Sequence, residues 1–268
     1  MALATVLWGC YLTMMAMNWV LAARGAGAKV SLHAGVKIWL TSMPARYIPG
    51  NVWHVAGRFY LGAQAGLPAE ATFVSSVVEQ VLTVASELLV FVLLLPFWPG
   101  LPAIGFLGPI IAILLGLLAL QPRVLAMALH LAGRMLRRPP TASALRYHQL
   151  LLLLLGYMTA ALMNGVAFAV VAAQLGGVDW TQFPLLAGSY LLARAIGFLS
   201  LVTPAGLGVR EALLAGLLAP HLSLPLATAV SLLARFLATA AEGLAALGIN
   251  IVAVARRDPD FPSAEVQP

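Results

Sequence analysis

The chain has 268 residues, of which 62% are hydrophobic and 9% are charged, and its mean hydropathy is +0.96. This composition excludes an ordinary soluble domain and predicts a polytopic membrane protein. The formal net charge of +6 comes mostly from Arg and Lys between the apolar runs, which indicates cytoplasmic loops and argues against a nucleic-acid partner. The single cysteine, Cys10, allows neither a disulfide framework nor a cysteine metal cluster.

The first half of the chain has two apolar spans on either side of an interrupted segment. Residues 1–24 predict a retained span, because the apolar run is too long for a signal-peptide core and no basic leader precedes it. The basic residues after it place the N-terminus outside the cytoplasm. Residues 31–66 contain several charges and the pair Pro49-Gly50, which favours a re-entrant hairpin from the cytoplasm; two amphipathic surface helices are the alternative. Residues 71–95 form the next long helix.

The second half repeats this alternation of apolar and interrupted stretches. Residues 103–120 predict a return through the membrane, and five arginines at 123–146 place the following loop in the cytoplasm. Residues 149–173 then cross outward. Residues 184–202 begin a second interrupted segment, and residues 225–253 form the last span.

The second interrupted segment contains TPAGLGVREA at positions 203–212. A Pro and two Gly break the helix there, and two charged residues follow at once. Such a break survives only where protein or a water-filled cavity covers the freed backbone, so the segment is predicted to mark a binding site. The predicted binding residues in it are Pro204, Gly206, Gly208, Arg210 and Glu211.

The two interrupted segments resemble each other at an offset of about 155 residues. The PG at 49–50 aligns with the PAG at 204–206, and a polar series at 72–83 aligns with another at 228–239. Because the basic loops make the first span run inward and its counterpart at 149–173 run outward, the pattern predicts inverted repeats.

The predicted fold is therefore an all-α, polytopic membrane helical bundle with inverted repeats and two re-entrant helical hairpins. One integral membrane domain covers residues 1–253, with repeats at about 1–100 and about 101–253, and residues 254–268 form a disordered cytoplasmic tail. The first repeat has no counterpart of residues 103–120. We expect a helix upstream of Met1 to be missing, in preference to an asymmetric architecture.

Each long helix after an interrupted segment carries a narrow polar face. An ionised group at mid-membrane depth costs about 2.5–3.5 kcal/mol, so these faces are expected to look at each other, at the hairpins or at a hydrated cavity. The first face comprises Thr72, Ser76, Glu79, Thr83 and Glu87. The second comprises Thr228, Ser231, Arg235, Thr239 and Glu242.

The charges on these faces have two interpretations. The first interpretation is an ion pair between Glu79 and Arg235 that only holds the bundle together. These two residues occupy equivalent positions and have charges of opposite sign. The second is a ligand site in which arginines near the hairpins take part. For Arg46 and Arg194, a snorkelling anchor at the end of a span is the expected role. The predicted binding residues outside TPAGLGVREA are Pro49, Gly50, Arg58, Glu79, Glu87, Arg235 and Glu242.

Signatures of enzymes are thin. The sequence has no HExxH, GxSxG or Walker motif, and its five histidines lack metal-ligand spacing. A catalytic role would depend on Glu79, Glu211 or Glu242, each of which has an equally good structural explanation. No catalytic residue, metal or cofactor is predicted, and a transporter is favoured over an enzyme.

Three segments resemble a known family: RYIPGNVWHVAGRFYLGAQAGLPAEATFVSSVVEQ at 46–80, TPAGLGVREALLAG at 203–216 and LLARF at 232–236. They look like the flippase-like membrane domain of lysylphosphatidylglycerol synthases and its stand-alone relatives. The resemblance implies a helical bundle with inverted repeats and re-entrant helices that is proposed to move lipids between leaflets. Arg58 and Glu79 match residues of the family pattern, whereas His54 stands near where an acid is common and Gln80 replaces an Arg.

The sequence thus predicts a multi-pass lipid translocase of the bacterial cytoplasmic (cell inner) membrane, with its C-terminus in the cytoplasm. The expected cargo is an anionic or lysyl-modified phospholipid or a polyprenyl-linked lipid. The expected partners are such a lipid, recognised by its anionic headgroup or polyprenyl phosphate, the bilayer and a second copy of the chain. A membrane enzyme acting on a lipid or polyprenyl carrier, and an assembly or scaffold subunit of an envelope-lipid pathway, are the alternatives.

Overall fold

A computed structural model of the protein describes residues 1–48, 52–98, 127, 145–200 and 206–255, and the statements below refer to these residues. They contain helices and no strand, which confirms the all-α prediction. Eight α-helices are described: α1 (Ala2–Gly25), α2 (Leu32–Ser42), α3 (Trp53–Gln64), α4 (Ala69–Leu94), α5 (Tyr147–Gly176), α6 (Phe183–Leu199), α7 (Val209–Leu218) and α8 (Leu224–Ala255).

Local sequence explains where several of these helices begin and end. The Ser31 hydroxyl accepts a hydrogen bond of 3.1 Å from the amide of Ala34 and so caps the start of α2. Pro184 lies in the first turn of α6, where a missing amide donor costs nothing. Gly177 adopts a φ of 61° directly after α5, which is the left-handed conformation that ends many helices.

Five described helices are long and apolar enough to cross a membrane, on length and composition alone. Four of them, α1, α4, α5 and α8, correspond to predicted spans. The fifth covers Trp180–Leu199 and includes α6, which was predicted as part of the second interrupted segment. Re-entrant entry of either hairpin stays a prediction, while the multi-pass helical bundle is confirmed. The predicted span at 103–120 and most of the predicted tail lie outside the described residues.

Helices α1 and α5 pack together along their length in antiparallel fashion. The amino group of Met1 donates to Oε1 of Gln174 at 2.7 Å, so the start of α1 meets the end of α5. Nε1 of Trp8 donates to Oδ1 of Asn164 at 2.9 Å in the buried interface. Gly156 leaves room for Asn18, which a Cβ at that position would displace. These two helices are the corresponding spans of the two predicted repeats, and an inverted repeat requires them to run in opposite directions.

The long helix that closes each half packs against the interrupted segment of the other half. Helix α4 contacts α6, and α8 contacts α2 and the short 3₁₀ turn Met43–Tyr47. In the second contact, the amide of Asn250 donates to the Thr41 hydroxyl at 3.0 Å. This exchange brings side chains from both halves to the middle of the bundle.

The predicted polar faces of α4 and α8 lie inside the bundle. Thr72, Ser76, Glu79 and Glu87 are buried on α4, and Ser231 and Glu242 are buried on α8. Burial of these residues agrees with the expectation that the faces turn away from lipid, whereas Thr83, Thr228, Arg235 and Thr239 are only partly buried. Most of α4 and α8 otherwise carries apolar side chains, several of which are exposed on the outer surface.

Candidate functional site

A cavity of about 80 Å³ lies between the two halves of the bundle. Side chains from α1, the two interrupted segments and α4 line it. Its charged lining residues are Arg46, Arg58, Glu79, Glu87, Arg194 and Arg210. Its uncharged polar lining residues are Tyr11, His54, Gln80 and Thr83.

The first half contributes a buried ion pair between Arg58 on α3 and Glu79 on α4. The guanidinium binds both carboxylate oxygens, with Nη2 of Arg58 3.2 Å from Oε1 of Glu79. Nε1 of Trp39 donates to the same Oε1 at 2.8 Å. The rings of Trp19 and Trp39 lie 5.6 Å and 5.4 Å from the guanidinium carbon, within the range of cation–π attraction. Arg58 is fully buried, so charge, hydrogen bonds and aromatic contacts all stabilise it here.

The second half has a corresponding pair with the charges exchanged. Arg235, on the long helix α8, donates from Nη1 to Oε1 of Glu211 at 2.5 Å. The other oxygen of Glu211 accepts a hydrogen bond of 2.7 Å from the amide of Gly208. Glu211 thereby occupies one amide donor at the start of α7. Both charged side chains keep 12% of their surface exposed, so this pair is less buried than its counterpart.

Two further ion pairs join one half of the bundle to the other. Nη2 of Arg46 lies 2.6 Å from Oε1 of Glu242, and the Tyr47 hydroxyl donates to the second carboxylate oxygen at 2.8 Å. Nε of Arg194 lies 2.8 Å from Oε1 of Glu87. Each pair links the second half of a long helix to the interrupted segment of the opposite half.

Arg194 also donates from Nη2 to the Tyr11 hydroxyl at 2.9 Å. The prediction that Arg46 and Arg194 are snorkelling anchors was wrong, because both guanidinium groups turn inward to carboxylates that hold them at the cavity.

Arg210 differs from the other cavity arginines because no described carboxylate pairs with it. Only 9% of its surface is exposed, and its guanidinium carbon lies 4.8 Å from the centre of the Tyr190 ring. That ring stacks on Phe168 with a centroid distance of 4.5 Å. Burial lowers the pKa of Arg210, as expected for a cation whose charge is not neutralised nearby.

Helices α3 and α4 also contribute uncharged polar side chains to the cavity wall. Nε2 of Gln80 lies 3.4 Å from Nε2 of His54. Burial, together with the charges of Arg58 and Arg46, lowers the pKa of His54 to about 3, so the imidazole is neutral at physiological pH. Nδ1 of His54 and Oγ1 of Thr83 are both buried and have no hydrogen-bond partner among the described residues.

The predicted binding residues fall into three groups. The first group lines the cavity and comprises Arg58, Glu79, Glu87 and Arg210. Glu242 belongs with it because it forms an ion pair with the lining residue Arg46. The second group forms the neighbouring second-half pair and its loop: Gly206, Gly208, Glu211 and Arg235. The third group, Pro49, Gly50 and Pro204, lies outside the described residues.

Two features of the site differ from the sequence predictions. Glu79 and Arg235 were considered as partners of each other, but each pairs with a residue of its own half, namely Arg58 and Glu211. Tyr11 and Arg194 were absent from the predicted site. The charge of Arg194 within an apolar stretch was the available signal for its role, whereas nothing in the sequence marked Tyr11.

The loop before α7 provides a test of local packing. Gly206 and Gly208 both have positive φ angles, of 68° and 86°. They differ in the space around them: a Cβ at Gly206 would lie 2.5 Å from the carbonyl oxygen of Gly197, whereas a Cβ at Gly208 would meet open space. We expect Gly206→Ala to destabilise the protein by about 3 kcal/mol through strain and overpacking, and Gly208→Ala by about 1 kcal/mol through strain alone. Unfolding of the purified variants in detergent measures both, and equal losses would contradict this packing.

Comparison with known protein families identifies a related family. The model of the protein family described as the lysylphosphatidylglycerol synthase TM region matches residues 1–245. No curated protein and no solved structure matches the chain significantly.

Proposed function

This chain belongs to the lysylphosphatidylglycerol synthase TM region family, and from that premise we propose that it moves a lipid with an anionic headgroup between the leaflets of a membrane. The proposed location is the bacterial cytoplasmic membrane, with the N-terminus outside and the C-terminus in the cytoplasm. The cargo is an anionic phospholipid or a polyprenyl phosphate. Its headgroup enters the cavity between the halves, while its acyl chains stay in the bilayer.

The balance of charge at the cavity is the observation that carries this proposal. Four arginines line the cavity, and three of them pair with Glu79, Glu87 and Glu242. With His54 neutral, the four positive and three negative charges leave a net charge of +1. A buried cation without a counter-ion is costly, and an anionic ligand would supply that counter-ion.

Arg210 is the proposed anchor of the headgroup. An arginine binds phosphate through charge-assisted hydrogen bonds, which are about twice as strong as neutral ones. The start of α7 is not proposed to hold the anion, because Glu211 already accepts an amide hydrogen bond there. The proposal therefore places the headgroup on the Arg210 guanidinium, with the ion pairs around it as fixed polar walls.

The energetic role of the cavity is to replace the hydration of the headgroup. An ionised group in hydrocarbon is costly, on insertion scales about 2.5–3.5 kcal/mol for a side chain. Arginine contacts and fixed dipoles offset part of that cost without removing the acyl chains from lipid. Movement by this route is passive or coupled to an ion.

A scaffold subunit is the second candidate function. The paired state of Arg46, Arg58 and Arg194 favours it, since buried ion pairs also fix the arrangement of helices without binding a ligand. Under this alternative Arg210 would have no ligand, and the protein would move no lipid faster than the control vesicles do.

Reconstitution into liposomes tests the proposal. The purified protein is inserted into vesicles that contain headgroup-labelled phospholipids or polyprenyl phosphates, and the labelled lipid that reaches the opposite leaflet is measured with time. We expect faster crossing of anionic lipids than in protein-free vesicles and in vesicles with an unrelated helical membrane protein of similar size. Crossing at the rate of these controls for every lipid would refute the translocase proposal.

A further inference from the structure

The part of the cavity wall that α3 and α4 form contains hydrogen-bonding groups that the ion pairs do not use. His54, Gln80 and Thr83 all line the cavity and carry no charge at neutral pH. His54 is 5% exposed, yet its Nδ1 has no partner among the described residues, and the same is true of Thr83 Oγ1. Buried polar atoms are almost always paired, so two such atoms at one cavity point to a ligand that completes them.

The chemistry of these groups suits hydroxyls. With Gln80 donating to Nε2 of His54, the imidazole proton is on Nδ1 and is available as a donor. Thr83 both donates and accepts, and a hydroxyl of a ligand does the same. A glycerol or sugar headgroup presents several hydroxyls close together and can therefore satisfy both side chains at once.

The same wall disfavours an ammonium group. An ammonium only donates hydrogen bonds and carries a charge that needs a nearby anion. The carboxylates of Glu79 and Glu87, which line the cavity, are already bound by arginines. With an additional positive charge on Arg210, an amine-bearing headgroup would meet repulsion from the guanidinium groups.

We infer that the cavity selects a lipid whose headgroup combines one anionic phosphodiester with an uncharged polyol, and that it rejects lipids with amine-bearing headgroups. The phosphodiester binds Arg210, and the hydroxyls bind His54, Gln80 and Thr83. This inference rests on the proposed function, because it assigns a lipid class to the same cavity. It also narrows the expected cargo, since a lysyl-modified phospholipid carries ammonium groups.

Lipid binding to the detergent-solubilised protein tests the selectivity directly. The probes share the same acyl chains and differ in headgroup: phosphatidylglycerol, phosphatidylethanolamine, lysyl-phosphatidylglycerol and phosphatidic acid. We expect phosphatidylglycerol to bind about tenfold more tightly than each of the others, which corresponds to one or two hydrogen bonds or one charge contact. Equal or tighter binding of either amine-bearing lipid by the unmodified protein would overturn the inference.

Two variants assign the selectivity to this wall. Thr83→Val keeps the side-chain shape and removes the hydroxyl, so we expect the preference for phosphatidylglycerol over phosphatidic acid to fall about five- to tenfold. Gln80→Glu adds a carboxylate and is expected to shift the preference toward phosphatidylethanolamine. Thr159→Val is the matched control, because the hydroxyl of Thr159 is exposed and bonds to the carbonyl of Leu155 at 2.8 Å outside the cavity.

The outcomes separate this inference from the translocase proposal. If phosphatidylglycerol binds preferentially but no lipid crosses the liposome membrane, the translocase proposal fails and the polyol subsite stands. If lipids cross and bind without regard to headgroup, the polyol subsite fails and the translocase proposal stands. A folded Thr83→Val variant with unchanged selectivity also overturns the inference, and gel filtration of each variant establishes that it is folded.

Discussion

Replacement of Arg58 by Met is expected to destabilise the protein by about 3–5 kcal/mol, the usual loss when one partner of a buried ion pair is removed. Met fills a similar volume between Trp19 and Trp39, so the loss arises mainly from Glu79. That carboxylate would keep the hydrogen bond of 2.8 Å from Trp39 but would lose its counter-ion in a buried position. A denaturant titration of the detergent-solubilised protein measures the change in the free energy of unfolding.

The double variant Arg58→Met with Glu79→Leu should recover most of this stability, because an apolar pair of similar volume often replaces a buried ion pair at little cost. Arg235→Met is the matched control, since its pair with Glu211 is partly exposed, and we expect it to lose about 1 kcal/mol. A loss below 1 kcal/mol for Arg58→Met, or a double variant as unstable as the single one, would show that the buried pair is not what stabilises this region.

Replacement of Arg210 by Gln is expected to slow lipid transfer about 10- to 100-fold, the value of one or two charge-assisted hydrogen bonds to a phosphate. The same change should leave the protein as stable as before or more stable, because it removes a buried charge that no described carboxylate neutralises. The expected signature is therefore lower activity with equal or higher stability, as for residues retained for function.

Two controls accompany this variant in the liposome assay. Arg210→Lys keeps the charge but lacks the planar fork of donors, and we expect an intermediate rate. Arg146→Gln removes an exposed arginine outside the cavity and should transfer lipid at the unmodified rate. Unchanged transfer by Arg210→Gln would exclude Arg210 as the headgroup anchor, and a loss of both transfer and stability would make the role of Arg210 structural.

The sequence predicted the helices and the buried polar faces well, because both depend on local patterns. Thr72, Ser76, Glu79 and Glu87 recur at helical spacing in an apolar stretch, and a helix can hide such a face only within the bundle. The predicted spans follow from the same argument, since apolar runs of sufficient length have few other structures available.

The partners of the charged residues could not be predicted in the same way. Glu79 pairs with Arg58, which is 21 residues away, although Arg235 was the equivalent residue in the other half. Arg194 meets Glu87 at a sequence separation of 107 residues because α4 packs against α6. Periodicity shows which face of a helix is buried, but the neighbour of that face depends on how the helices cross, which a single sequence does not contain.

The antiparallel packing of α1 and α5 has an electrostatic consequence for the middle of the protein. A helix carries a dipole equivalent to about half a unit charge at each end, positive at its N-terminus and negative at its C-terminus. Because the start of α1 lies beside the end of α5, the opposite partial charges neighbour each other and the two dipoles largely cancel. The pair of α1 and α5 therefore adds little potential along its own axis, and the positive potential at the cavity between the halves comes from guanidinium side chains.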